Sequence, residues 1–251
     1  VTYTATDDLG NIREHVFFVT VNDGEGPTFD TQVEDISEPS NLGICGAQVF
    51  WTEPVAVDNC TAATVSSSHN PGSFFDVGTT MVTYTALDGS GVTAQQSFTV
   101  TISDVEAPNL LQMPADIVVG NIEGTCAATV IWSAPLALDH CEEVTAVGSS
   151  APGSSFPLGE TVVTYTSSDS QGNEIQESFT VTVEDQEAPF FTTTLPAVTL
   201  DIEPGLCTAL LEWIEPTAED LCGTIQMESN FASGTTFGIG VTTVIYTAID
   251  E

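Results

Sequence analysis

A period of 81 residues runs through this chain without insertion or deletion. Cys45, Cys126 and Cys207 share one phase; Cys60, Cys141 and Cys222 share a second; Trp51, Trp132 and Trp213 share a third. Tyr3, Tyr84, Tyr165 and Tyr246 keep the same step, as do Pro27, Pro108 and Pro189. A fixed period marks a repeat architecture in which each copy is one small module. A lone enzyme domain has one active site and no reason to keep equal copies, so the strict spacing argues for a structural array. A module of this length has a thin core, which a cross-link or a bound ion would reinforce.

The charge narrows the partners. Asp and Glu number 36, Arg13 is the one basic residue, there is no lysine, and the net charge is −35. Nucleic acid and anionic membrane would be repelled, whereas divalent cations would be attracted. Self-repulsion of this size costs stability unless cations or salt offset it. An acidic disordered tail does not fit, because 41% of residues are hydrophobic and the apolar runs are strand-like. No apolar run reaches membrane-spanning length, so membrane insertion is not expected. Two cysteines per repeat at constant phase read as one disulfide in each domain and an oxidising compartment, hence a secreted protein. Val1 shares its phase with Val82, Val163 and Val244, and the chain reads as an excerpt from a longer array.

Linkers fall at Asp23-Gly-Glu25-Gly-Pro27, Asp104-Val-Glu106-Ala-Pro108 and Asp185-Gln-Glu187-Ala-Pro189. Proline fixes φ and restricts the residue before it, so such joints are semi-rigid. On this division residues 1–23 are the C-terminal strands of a preceding domain, 24–104 and 105–185 are complete domains, and 186–251 form a domain lacking its last strand. Inside each repeat the signals are all β. Ala47–Trp51, Ala128–Trp132 and Ala209–Trp213 alternate toward one face. Thr80–Ala86 is a β-branched run followed, after Asp88-Gly-Ser-Gly91, by Ser97–Ile102. An aspartate opens each such hairpin and glycine relieves it. No segment keeps a helical period. About seven short strands with regular turns predict an all-β chain of tandem immunoglobulin-like antiparallel β-sandwiches.

The strings Gly124-Thr-Cys126-Ala-Ala, Trp132-Ser-Ala-Pro135, Asp139-His-Cys141, Pro152-Gly-Ser-Ser-Phe156, Val163-Thr-Tyr-Thr-Ser-Ser-Asp169 and Ser178-Phe-Thr-Val-Thr182 together resemble the hyalin repeat (HYR) domain. Each piece is weak alone, but the set recurs along the whole chain. The resemblance implies an immunoglobulin-like fold and an extracellular adhesive or matrix role. Tandem copies are expected in large secreted surface proteins, bacterial ones foremost, as well as in animal matrix. Many family members carry two further cysteines. Here those columns hold Gln32, Met113 and Thr194, and His15, Gln96 and Glu177. Within that family pattern the remaining pairs are Cys45–Cys60, Cys126–Cys141 and Cys207–Cys222, each closing a loop of about 15 residues worth roughly 3 kcal/mol in the chain-entropy model. Buried free thiols are the alternative.

Four columns are acidic in every copy: Asp23/Asp104/Asp185, Glu25/Glu106/Glu187, Asp58/Asp139/Asp220 and Asp7/Asp88/Asp169/Asp250. In a sandwich of this kind the loop after Trp51, the hairpin after Asp88 and the entering linker share one end, so the four columns should meet at the domain junctions. Crowded carboxylates need a positive partner. Ca²⁺ fits, taking six to eight hard oxygen ligands in adaptable geometry, whereas Mg²⁺ demands a strict octahedron. Turn chemistry without any metal is the other reading, since an aspartate at a turn start accepts backbone hydrogen bonds by itself.

Catalytic chemistry is missing. His15, His69 and His140 do not recur in phase, and no Walker loop, Gly-x-Ser-x-Gly elbow or His-Glu-x-x-His helix occurs. The chain is expected not to be an enzyme. Trp51, Trp132 and Trp213 read as core residues packed against the disulfide rather than as sugar platforms. The sequence therefore describes a segment of a long, rod-like, extracellular repeat filament at a cell surface. Neighbouring repeats and further copies of the chain are its expected partners. The rivals are a ligand-binding adhesin, gripping a glycan or protein on a cell surface, and a spacer in a large extracellular enzyme.

Overall fold

The computed structural model describes residues 1–250. Its elements are all strands: β1 (Thr2–Thr6), β2 (Ile12–Val16), β3 (Thr28–Phe29), β4 (Ile36–Pro39), β5 (Gly46–Val49), β6 (Ala56–Val57), β7 (Thr64–Ser67), β8 (Ser73–Asp76), β9 (Gly78–Leu87), β10 (Thr93–Ser103), β11 (Asn109–Leu111), β12 (Ile117–Gly120), β13 (Ala127–Thr129), β14 (Leu136–Leu138), β15 (Val147–Gly148), β16 (Ser155–Pro157), β17 (Gly159–Ser168), β18 (Glu174–Glu184), β19 (Phe190–Phe191), β20 (Thr208–Leu211), β21 (Ala218–Glu219), β22 (Ile225–Ser229), β23 (Thr235–Gly238) and β24 (Tyr246–Asp250). Two compact units emerge, Val1–Glu106 with His140–Glu142, and Ala107–Asp139 with Glu143–Glu251.

In the first unit one sheet has the order β4-β10-β9-β7, and two short ladders, β3-β6 and β5-β8, complete the repeat. The ladders are antiparallel except β4 on β10, which is parallel. The β-branched alternation of β9 and β10 decides which side is buried. Val82, Tyr84 and Ala86 from β9 and Phe98, Val100 and Ile102 from β10 point inward, and Ala47, Val49 and Phe75 come from the facing ladder. Trp51 lies beside this core. Its indole Nε1 donates to the Tyr84 hydroxyl at 2.7 Å and its ring meets Phe98 edge-on at 5.4 Å. The β1-β2 hairpin precedes the repeat, with every residue of both strands exposed.

The second unit repeats the scheme. Its sheet has the order β12-β18-β17-β15, with β12 parallel to β18, and its core holds Phe156, Val163, Tyr165, Phe179, Val181 and Val183. Trp132 bonds Tyr165 at 2.8 Å and meets Phe179 at 5.4 Å. The third repeat, in the same unit, keeps β20-β23, β19-β21 and β22-β24. Among the described residues it has no strand corresponding to β10 and β18. Residues 198–201, in phase with β4 and β12, carry no strand pairing there. The tryptophan expectation is corrected in one respect. These indoles pack on phenylalanines rather than on a disulfide, because the bonded cysteines lie on loops outside the two core clusters.

Candidate metal centres

Asp23 opens the linker entering the first repeat, Asp58 follows β6, and Asp88 follows β9. The structure brings one carboxylate oxygen from each within 4.8 Å of the others. Each aspartate first serves its own turn. Asp23 Oδ1 accepts from the Glu25 amide at 3.1 Å, Asp58 Oδ1 from the Cys60 and Thr61 amides at 3.0 and 2.8 Å, and Asp88 Oδ1 from the Ser90 and Val92 amides, both at 2.8 Å. The second oxygen of every one is buried and has no hydrogen-bond donor. Turn chemistry thus accounts for half of each carboxylate and leaves the other half facing its like. The Thr61 and Cys60 amides also hold the Asp58 carboxyl below the usual carboxylate range, so it stays anionic. The Cys60 thiol is pushed up by its hydrogen bond to Asp23 and the charge there.

The second unit contains the same arrangement two periods on. Asp185, Asp220 and Asp250 converge to the same spacing. Asp185 Oδ1 accepts from the Glu187 amide at 3.0 Å, and Asp220 Oδ1 from the Cys222 and Gly223 amides at 2.7 and 2.8 Å. Asp185 Oδ2, Asp220 Oδ2 and Asp250 Oδ1 are buried without a donor. A Cβ on Gly223 would sit 2.5 Å from Asp250 Oδ1, so glycine is what lets the carboxylate in.

The remaining acidic columns behave differently. Asp169 has both oxygens engaged by Asn173, the backbone amide on Oδ1 and the side-chain amide on Oδ2, each at 2.7 Å. Burial pushes its carboxyl up, but Asn173, Gly172 and Gln171 outweigh that and hold it low. Asp7 is closed in the same way by Asn11. At Asp88 the residue four positions on is Val92, which gives its backbone amide to Oδ1 but has no side-chain amide for Oδ2. Asp104 is buried in the first unit, where its Oδ1 accepts from the Ser40 hydroxyl and the Glu106 amide; Asp139 belongs to the second. The three glutamates stand outside the clusters. Glu25 accepts from the Asn59 side chain at 2.6 Å, Glu106 from the Gly43 amide at 2.6 Å, and Glu187 from the Gly124 amide. Their extra methylene carries the carboxylate past the aspartates, in two cases to the Gly-x-Cys turn of the repeat before.

The cysteine pairing departs from expectation. Cys45 is bonded to Cys141 and Cys126 to Cys222, each across 96 residues, while Cys60 and Cys207 are free and exposed. Cys45–Cys60, Cys126–Cys141 and Cys207–Cys222 do not form. The reason is the course of the strands. Cys126 sits in the turn that opens β13, beside the departing linker at Glu187, whereas Cys141 follows Asp139 at the entering end. The two cysteines of one repeat lie at opposite ends of it. In the second unit the departing end of one repeat is where the next begins, and there Cα atoms of Cys126 and Cys222 stand 5.2 Å apart. The signal was present in the sequence: Cys60, Cys141 and Cys222 each follow an entering-end aspartate by two positions.

Comparison with known proteins accords with the repeat. The HYR domain model matches residues 22–102, 103–183 and 184–251, each start two positions before the linker-based division. Hyalin from Lytechinus variegatus is 38% identical over all of this chain and 49% of its own length. Hyalin from Strongylocentrotus purpuratus is 34% identical over 98% of this chain and 21% of its own length. The chain thus spans about half of one relative and about a fifth of the other. Among solved structures, the protocadherin GammaB4 extracellular domain aligns over 99% of this chain and 58% of its own at 14% identity, with a TM-score of 0.35. Three matched segments cover nearly every residue, and the chain belongs to the HYR domain family as a tandem array of all-β repeats.

Proposed function

We propose that this chain is a structural and adhesive stretch of an extracellular repeat array, and that Ca²⁺ ties each entering linker to the loops of the repeat that follows. The supporting observation is the convergence of buried carboxylate oxygens without donors at Asp23, Asp58 and Asp88, and again at Asp185, Asp220 and Asp250. Three anionic oxygens facing one another repel unless a cation lies between them. The donors are all hard oxygens, as Ca²⁺ prefers, and backbone carbonyls and water would complete its shell. Bound there, the ion would supply charge neutralisation and a cross-link from linker to loop. The two disulfides suit an oxidising compartment, and among the described residues no helix is long and apolar enough to cross a membrane. The motifs offer no catalytic group, which favours a mechanical role over an enzymatic one.

Calorimetric titration of the chelated protein with Ca²⁺ tests this reading. Saturable binding with a raised melting temperature is expected, with Mg²⁺ weaker by at least about tenfold. Asp88→Asn should remove binding in the first unit and leave the second intact. A thermogram without binding, together with a melting temperature indifferent to Ca²⁺, would overturn it.

A further inference from the structure

The outer face of the β5-β8 ladder carries two phenyl rings in the open. The ladder pairs Gly46 with Asp76 and Gln48 with Phe74, while Ala47, Val49 and Phe75 turn into the core. Phe50 continues the outward row beyond Gln48, since side chains of a strand alternate between its faces. Phe50 is 73% exposed and Phe74 47%. Each ring lies over a glycine. A Cβ on Gly46 would stand 2.6 Å from Phe74 Cε1, and one on Gly72 would stand 2.9 Å from Phe50 Cε1. Backbone thus covers one side of each ring, and solvent meets the other.

The fold does not require these rings. In the columns of Gly46, Phe50, Phe74 and Asp76 the second repeat holds Ala127, Ile131, Ser155 and Pro157, and the third Thr208, Glu212, Thr236 and Gly238. The ladders β13-β16 and β20-β23 form in the same register with those residues. The glycine under Phe74, the ring above it and the carboxylate beside it occur together in the first repeat and are replaced together in the others. Apolar area left in water gains nothing for folding, so the set answers to something outside the repeat.

We propose that this face binds an arginine-bearing segment of a basic partner protein, the guanidinium stacking on Phe74 and forking onto the Asp76 carboxylate. The charge chooses the occupant. The open face of a phenyl ring is the negative side of its quadrupole and attracts a cation. Asp76 lies two residues on along the same face and gives that cation a counter-charge. A second copy, itself at −35, or an anionic surface would be repelled instead. Arginine fits better than lysine, because its guanidinium is planar and weakly hydrated, and it can stack on a ring while two N–H groups meet one carboxylate. Gln48 faces Phe74 across the ladder and offers a side-chain amide to the backbone of the bound segment. The site deepens the adhesive reading by giving it a partner, and it uses none of the clustered aspartates, so it does not rest on Ca²⁺.

The 251-residue chain in chelator, at physiological ionic strength where the screening length is about 8 Å, is titrated with a labelled peptide alternating arginine and glycine and with its lysine counterpart. Saturable binding of the arginine peptide is expected, with the lysine peptide weaker by about threefold or more. Phe50→Ile and Phe74→Ser install the residues that the second repeat carries in the same ladder, so the melting temperature should hold. Together they should weaken the arginine peptide by about fivefold or more, and Asp76→Asn alone by about twofold to fivefold. In the unaltered chain, ring currents should move the arginine side-chain proton resonances upfield, a signature that needs no variant. Equal binding by the unaltered chain and the double variant would mean diffuse attraction to an acidic chain. That result, lysine binding as tight as arginine, unshifted arginine protons, or neutral N-acetylglucosamine oligomers bound in preference to the arginine peptide would each overturn the proposal.

Discussion

One side chain separates an aspartate that closes its own turn from one that stays half open. Asp7 and Asp169 are followed four residues on by Asn11 and Asn173, whose side-chain amides take the second oxygen; Asp88 is followed by Val92, and its second oxygen is buried without a donor. Val92→Asn should therefore convert the first-unit turn to the closed kind. The new hydrogen bond is worth about 1 kcal/mol in chelator. Ca²⁺ affinity at that cluster should fall at least about tenfold, read by calorimetry against the untouched cluster of the second unit. The acids held low by backbone donors have a pH consequence. Asp58, held by Thr61 and Cys60, and Asp35, held by Thr99, titrate below the ordinary value of 3.8 in the folded chain. A depressed carboxylate lends stability above the unfolded pKa, and that stability is lost as pH falls through the folded value. In high salt, where self-repulsion is screened, the melting temperature should hold level above about pH 5 and drop below about pH 4. Asp35→Asn should flatten part of that drop. The acidic columns marked these positions in the sequence. What it did not disclose was the division within each carboxylate, because the residue four positions on is legible but whether its side chain reaches the second oxygen depends on how the turn aims it.

At the scale of strands, alternation was sufficient to place β9, β10, β17 and β18, whose inward residues are the most buried in the chain. Alternation did not reveal that β4 and β12 run parallel to the strands they pair with, since a short apolar run has no direction of its own. The tryptophan and tyrosine columns, by contrast, were legible and have one physical meaning. Trp51, Trp132 and Trp213 each donate an indole hydrogen bond to Tyr84, Tyr165 and Tyr246, across 33 residues in every copy. Tyr84→Phe leaves a sheltered indole N–H without its acceptor, at a cost of about 1–3 kcal/mol by thermal or denaturant unfolding. Tyr165→Phe should match it. Tyr246→Phe should cost less, because the third repeat leaves Tyr246 partly exposed and water can replace the lost acceptor.

Across the whole chain, equal spacing showed that the cysteines form a series but not how the series is joined. A pairing inside each repeat and a pairing offset by one repeat give the same two columns. Only the ends at which the strands leave each cysteine distinguish them. The offset pairing makes a sharp statement about which thiols are dispensable. Cys60 and Cys207 should react with iodoacetamide in the native protein without reductant, while Cys45, Cys126, Cys141 and Cys222 should not. Under the pairing inside each repeat, all six would resist. Stability should divide the same way. Cys60→Ser should leave the unfolding free energy within about 0.5 kcal/mol, as expected of an exposed residue with no disulfide to lose and a hydroxyl to replace its hydrogen bond to Asp23. Cys222→Ser opens a loop of 96 residues, for which the chain-entropy model gives up to about 4–5 kcal/mol. Equal losses from Cys60→Ser and Cys222→Ser, or protection of Cys60 from alkylation, would restore the pairing inside each repeat and remove the covalent continuity from one repeat to the next.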